Sequence, residues 1–216
     1  KDAKRNYLNA CLEAVSKLDL ASLAEILEAA EKDSGIPEVL DRLVSPLLTE
    51  IGQRWERGEI ELSQEHLISA AIRRYLDSVR TRATPSRHAS TILSTTPSGQ
   101  NHELGALMTA ATAAASGWNS IYMNPSTPAT DIAWAANKLK ADVVALSIVY
   151  PARDALLRSE LQHLIKLLSP DTYLIIGGSS ADFLWPIQRE NPNCISLNNQ
   201  NEVQEFLMEA QARIRS

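Results

Sequence analysis

Long hydrophobic runs are missing from these 216 residues. No apolar stretch approaches the roughly 20 residues needed to cross a bilayer, and no signal peptide opens the chain, so the expectation is a soluble, cytoplasmic protein with no membrane contact. Cysteine is nearly absent. Cys11 and Cys194 lie far apart and outside any CxxC, which argues against a disulfide framework or a zinc site and fits a reducing compartment. Aromatic residues make up only 5%, although 44% of the chain is hydrophobic, enough for one large or two modest cores. Cations are outnumbered, with 21 Lys and Arg against 26 Asp and Glu and a net charge of −5. A chain of this sign does not grip a polyanion unaided, because such binding draws on clustered Lys and Arg, and any DNA contact must come from elsewhere. The sequence begins at Lys1 rather than Met, so it reads as a trimmed piece with a domain missing upstream.

What is present divides in two. Leu8, Cys11, Leu12, Val15 and Leu18 recur at intervals of three and four, as do Leu20, Leu23, Leu27 and Ala30 after the cap residue Asp19. A third helix is predicted from Pro37 through Leu40, Leu43, Val44, Leu47, Ile51 and Trp55 to a stop near Gly58, with a kink at Pro46. A fourth starts at the cap Ser63 and carries Leu67, Ala70, Ala71, Tyr75 and Val79. Four short-looped helices make a bundle over residues 1–80. Residues 81–90 are polar and contain Pro85, which reads as a linker. From 91 to 216, short β-branched runs alternate with helical stretches: Thr91–Thr95, Ser120–Met123, Val143–Ile148, Tyr173–Ile176 and Cys194–Leu197. That pattern predicts an α/β, flavodoxin-like domain of about five parallel strands with helices on both faces.

Gln100-Asn101-His102-Glu103-Leu104-Gly105 joins the first strand to an alanine-rich helix. The imidazole of His102 thereby falls at the carboxyl edge of a parallel sheet, where open α/β folds bind ligands. Taken alone, a single histidine is more often a surface or satisfied core residue. Its company changes the reading. The loop resembles the Asp-x-His-x-x-Gly loop of cobalamin-binding domains, Ser147-Ile148-Val149 stands where those domains carry Ser-x-Leu, and Gly177-Gly178 stands where they carry a glycine pair. The resemblance implies that His102 coordinates cobalt from below in place of the cofactor's own base. It also implies that the displaced, flat nucleotide tail inserts beside the sheet, past Gly105 and the glycine pair, with the Ser147 hydroxyl on a ring nitrogen. Gln100 departs from the pattern, since relatives carry an acid there to orient the histidine.

A second constellation lies in the bundle: Trp55, then Glu65 and His66, spaced Trp-x9-Glu-His. By itself Trp55 is a core tryptophan ending a stripe, and Glu65 complements a helix dipole. Joined to a cobalamin domain, and with Arg-x-Glu-Ile, Glu-His-Leu and Thr-Thr-Pro-Ser-Gly alongside, the spacing resembles the CarH/LitR-type light-responsive regulators. The likeness runs from about Leu8 to the C-terminus. It implies that the bundle caps the upper face of adenosylcobalamin, with Trp55 stacked over the upper ligand, Glu65 and His66 hydrogen-bonded to it and Leu62 lining the pocket. It implies a sensor rather than an enzyme, self-association as dimer or tetramer, and DNA contact only through a MerR-type domain upstream. Glu56 follows Trp55 where relatives that lock cobalt with a second histidine carry that histidine. The alternatives are a corrinoid carrier subunit of a methyltransferase system, or a sensor of another alkyl-cobalamin or tetrapyrrole.

Overall fold

The computed structural model describes residues 2–149, 155–179 and 191–214, and divides into two compact units, Lys1–Val79 and Arg80–Ser216. In the first, α1 (Asp2–Ser16) and α2 (Leu20–Ser34) form a helical hairpin. Asp19 caps α2 as its position predicts: one carboxylate oxygen accepts the Ser22 N–H at 3.0 Å and the other the Ser22 hydroxyl at 2.7 Å. Leu18 does not extend the α1 stripe. It lies past the helix end with φ +53° and is exposed, and the buried face is Cys11, Ala14 and Val15.

The third predicted helix is broken into α3 (Ile36–Val39), a π turn (Leu40–Val44) and α4 (Ser45–Glu56). Pro37 sits in the first turn of α3 as expected. Pro46 has no N–H to give Arg42, so the backbone widens just before it, and the Ser45 N–H reaches five residues back to the Leu40 carbonyl. Leu40, Val44, Leu47 and Ile51 remain buried throughout.

The final helix of the unit, α5 (Leu62–Arg82), starts one residue before the expected cap Ser63 and runs two residues into the segment read as a linker. Its entry is fixed by the Gln64 side chain, whose Oε1 accepts the Glu61 N–H at 2.8 Å. The core face is Ile68, Ala71, Ile72, Tyr75, Leu76 and Val79. Leu67 and Ala70, predicted on that face, point to solvent. Adjacent Leu67 and Ile68 both fit a helical repeat, and packing selects Ile68 because it shares a row with Ile72 and Leu76.

In the second unit, β1 (Thr91–Thr95), α6 (Leu104–Ala115), β2 (Asn119–Tyr122), α7 (Ala129–Leu139) and β3 (Val143–Ser147) come first. They are followed by α8 (Ala155–Leu167), β4 (Tyr173–Gly177), β5 (Cys194–Ser196) and α9 (Gln200–Ile214). All strand pairs are parallel, in the order β2-β1-β3-β4-β5. The five-stranded expectation holds, although the first strand alone has the predicted ends: β2 starts and stops one residue early, β3 and β5 stop one residue early, and β4 takes in Gly177. On one face Ile92, Val143, Ala145 and Ile175 pack with Ala113 of α6 and Val203 and Leu207 of α9. On the other, Leu93, Val144, Leu146 and Ile176 pack with α7 and α8. The helices that follow β1 and β3 thus cover opposite faces, which makes the carboxyl ends of this adjacent pair the switch point of the fold. Among the described residues no helix is long and apolar enough to cross a membrane.

Candidate cofactor site

The loop between β1 and α6 is held at its root by short, specific contacts. The Gln100 N–H donates to the Pro97 carbonyl at 3.0 Å, closing a turn. Buried Thr96 donates its hydroxyl to the Gln100 carbonyl and accepts the Ser126 N–H at 2.8 Å. The Gly99 N–H donates to Ser126 Oγ at 3.0 Å. One oxygen of Glu160, in α8, accepts both the Ser98 hydroxyl and the Ala129 N–H, each at 2.8 Å. The loop is therefore fastened to the β2–α7 connection and to α8 before it reaches His102, which is itself exposed.

Gln100, buried to 3% exposure, turns its side chain to the end of β3, where Oε1 accepts the Val149 N–H at 3.1 Å. It thereby ties together the two strand exits of the switch point. Glu103 precedes α6 and takes a hydrogen bond from the Tyr122 hydroxyl, which anchors the loop's far end on β2. Across the edge, the Ile148 N–H donates to the Gly177 carbonyl at 2.8 Å, and the Ser179 hydroxyl donates to the Val149 carbonyl at 3.2 Å.

Two glycines sit in close approach to neighbouring atoms. A Cβ on Gly105 would lie 2.5 Å from Ser147 Oγ. A Cβ on Gly178 would lie 2.3 Å from the Ile148 carbonyl oxygen, and φ there is +98°, a region few side chains tolerate. At Gly178 the crowding atoms are backbone, so the fold alone demands that glycine; at Gly105 the neighbour is the Ser147 hydroxyl, which would have to turn away.

Seven of the predicted residues, Gln100, His102, Gly105, Ser147, Val149, Gly177 and Gly178, thus gather at the carboxyl edge around β1, β3 and β4. Ser147 Oγ is buried with no hydrogen-bond partner among the described residues. That orphaned hydroxyl, at the same sheet edge as an exposed imidazole on an anchored loop, fits a ligand that would bring a polar flat group to the sheet and a metal to His102. Among the described residues no three His, Cys, Asp or Glu side chains converge as a metal site. A single imidazole suits a metal whose equatorial positions a macrocycle already fills. Burial pushes the Cys11 thiol up to about 12 and the Cys194 thiol up to about 11, so neither is a thiolate at neutral pH.

The other predicted residues belong to the helical unit. Trp55, in the last turn of α4, is 46% exposed and so is not the core tryptophan its stripe suggests. Leu62, Glu65 and His66 share one face of α5 at i, i+3 and i+4. Leu62 and His66 are exposed, and the partly covered Glu65 carboxylate lies 3.1 Å from His66 Nδ1 while accepting the Ser69 hydroxyl at 2.6 Å. The sequence reading missed Ser69, Ser126 and Glu160. For Ser69 a signal was available, since position i+4 from Glu65 falls within reach on a helix.

Two family models, each described as a B12 binding domain, match residues 7–79 and 90–195. The HTH-type transcriptional repressor CarH of Myxococcus xanthus is 29% identical over 172 residues, 79% of this chain and 56% of that protein. The HTH-type transcriptional repressor CarA of the same organism is 29% identical over 168 residues, 78% of this chain and 56% of the relative. The chain therefore spans little more than half the length of these curated relatives. Among solved structures, the monomethylamine corrinoid protein of Methanosarcina barkeri has a TM-score of 0.68 at 16% identity, covering 95% of this chain and 98% of that one, a likeness of fold. Both units match B12 binding domains, and the identity to CarH and CarA over most of the chain supports a CarH-type cobalamin-binding portion.

Proposed function

We propose that this chain is the light-sensing module of a cobalamin-dependent transcriptional regulator. In this reading His102 holds cobalt from below, the tail lies along Ser147, and Trp55, Leu62, Glu65 and His66 face the upper ligand, which is adenosyl. The observation that carries it is in the helical unit. Trp55, Leu62 and His66 are left uncovered by their own core, and Glu65 is oriented by Ser69 and His66 rather than by a buried partner. An exposed tryptophan and an acid ordered by its helix neighbours suit an amphipathic ligand, and the adenosyl group has an apolar face and polar edges.

When bound, an alkylcobalamin supplies a cobalt–carbon bond that light breaks. The chain's part is to make its arrangement depend on the upper ligand: contacts from Trp55, Glu65 and His66 stabilise one placement of the bundle, and their loss removes that differential energy. Glu56 offers no imidazole, so locking by a second histidine at that position is unavailable. Self-association as dimer or tetramer would read out the change, and DNA would be reached through a MerR-type domain upstream. The curated relatives are transcriptional repressors by name, which supports a regulator; a non-catalytic role in the cytoplasm belongs to the same reading.

The competing reading is a methyl-carrying corrinoid subunit. Titration of the protein with adenosyl- and methylcobalamin in darkness separates the two. The sensor reading predicts at least roughly tenfold tighter binding of the adenosyl form, about 1.4 kcal/mol. Equal or tighter binding of the methyl form would favour the carrier.

A further inference from the structure

Three serine hydroxyls on the sheet are buried without a hydrogen-bond partner among the described residues: Ser94 in β1, Ser147 in β3 and Ser196 in β5. Strand alternation sorts them. Ser94 follows Ile92 by two residues and Ser147 follows Ala145 by two, so both face the layer made by α6 and α9. Ser196 is level with Ile176 and faces the α7 and α8 side. Within the shared layer Ser94 is level with Ala145, and it therefore lies about 7 Å further from the carboxyl edge than Ser147.

Ser94 is fully buried, with Ile92 two residues back on the same face and Tyr122 and Ala145 level with it on the flanking strands. Nothing at that level of the sheet pairs with its hydroxyl among the described residues. A hydroxyl with no partner costs stability, and folded proteins retain few of them without a reason. The same layer holds the other orphaned hydroxyl, Ser147, and no hydrogen bond within the described residues accounts for either.

We propose that Ser94 is a specificity contact for the far edge of the cofactor's lower base, and that it selects a base with a hydrogen-bonding edge, such as a purine, over dimethylbenzimidazole. This rests on the reading that the lower nucleotide inserts along Ser147. A base whose ring nitrogen meets Ser147 presents its opposite edge deeper in the layer, toward Ser94. In dimethylbenzimidazole that edge carries two methyl groups, which leave the hydroxyl unpaired. A purine carries ring nitrogens and an amine there, able to accept from or donate to Ser94 Oγ.

The test is titration of the whole chain and of Ser94→Ala with three corrinoids: cobinamide, which has no nucleotide, cobalamin, and its adenine-based counterpart. The wild type binds the adenine form roughly five- to tenfold tighter than cobalamin, the size of one hydrogen bond. Ser94→Ala loses that preference, while both tailed forms still bind it more tightly than cobinamide does. The same preference in both proteins would overturn the inference. Cobinamide binding the wild type as tightly as the tailed forms would instead remove the tail-insertion reading, and the inference with it. Without cofactor, Ser94→Ala melts at or above the wild-type temperature, because it deletes an unpaired hydroxyl. A lower melting temperature would show the hydroxyl already paired inside the fold and would also overturn the assignment.

Discussion

His102 is exposed on a loop whose fastening comes from Thr96, Ser98 and Gln100, not from its own ring. Removing the imidazole therefore separates ligation from folding. His102→Ala is expected to weaken cobalamin binding at least roughly tenfold and to abolish the spectrum of histidine-ligated cobalt, while unfolding free energy stays within about 0.5 kcal/mol, as for surface changes generally. An unchanged visible spectrum and affinity would return His102 to the status of an ordinary surface residue. Trp55 gives the matching test on the other unit. Because it is half exposed, Trp55→Ala costs the bundle little cavity energy, well below the ~3–5 kcal/mol of a buried tryptophan, yet it removes the surface proposed to meet the adenosyl group. The variant is expected to lose its discrimination between adenosyl- and methylcobalamin in dark titrations. Retained discrimination with a large loss of stability would make Trp55 structural.

At the scale of elements, the glycine after β4 is the most sensitive joint. Gly178→Ala drives a methyl group to 2.3 Å from the Ile148 carbonyl oxygen at φ +98°. It is expected to destabilise the chain by ~2 kcal/mol or more, and to disturb the exits of β3 and β4 where Val149 and Gly177 sit. Denaturant unfolding of the apoprotein measures it, and a change under 0.5 kcal/mol would show that the two strand exits are not held together as described. Elements governed by local rules were readable from the sequence: the Asp19 cap, the Pro37 start, the strand–helix alternation and the position of His102 at the carboxyl edge. What was not readable depended on choices that local pattern leaves degenerate. Leu67 and Ile68 both fit a helical stripe, and only packing turned Ile68 inward. Pro46 announced a disturbance but not a π turn. The fastening of the His102 loop draws on residues up to 62 positions apart, as in Ser126 to Thr96 and Ser98 to Glu160, and no periodicity encodes such pairs. Gln100 was legible as a departure from the acidic pattern, but its use as a bridge to Val149 required the fold.

For the whole molecule, the central claim is that upper-ligand contacts made by one unit are converted into a change of assembly. Each unit has its own core; under the proposed function both present side chains to one cofactor, and loss of its upper ligand changes how copies associate. The most direct measurement is size-exclusion chromatography of the adenosylcobalamin-loaded chain, run in darkness and again after green light, with cleavage of the cobalt–carbon bond confirmed by absorbance. A dark oligomer that elutes as smaller species after illumination is the predicted result. Identical elution in both states, with photolysis complete, would contradict the account and leave a cobalamin-binding protein whose assembly does not respond to light.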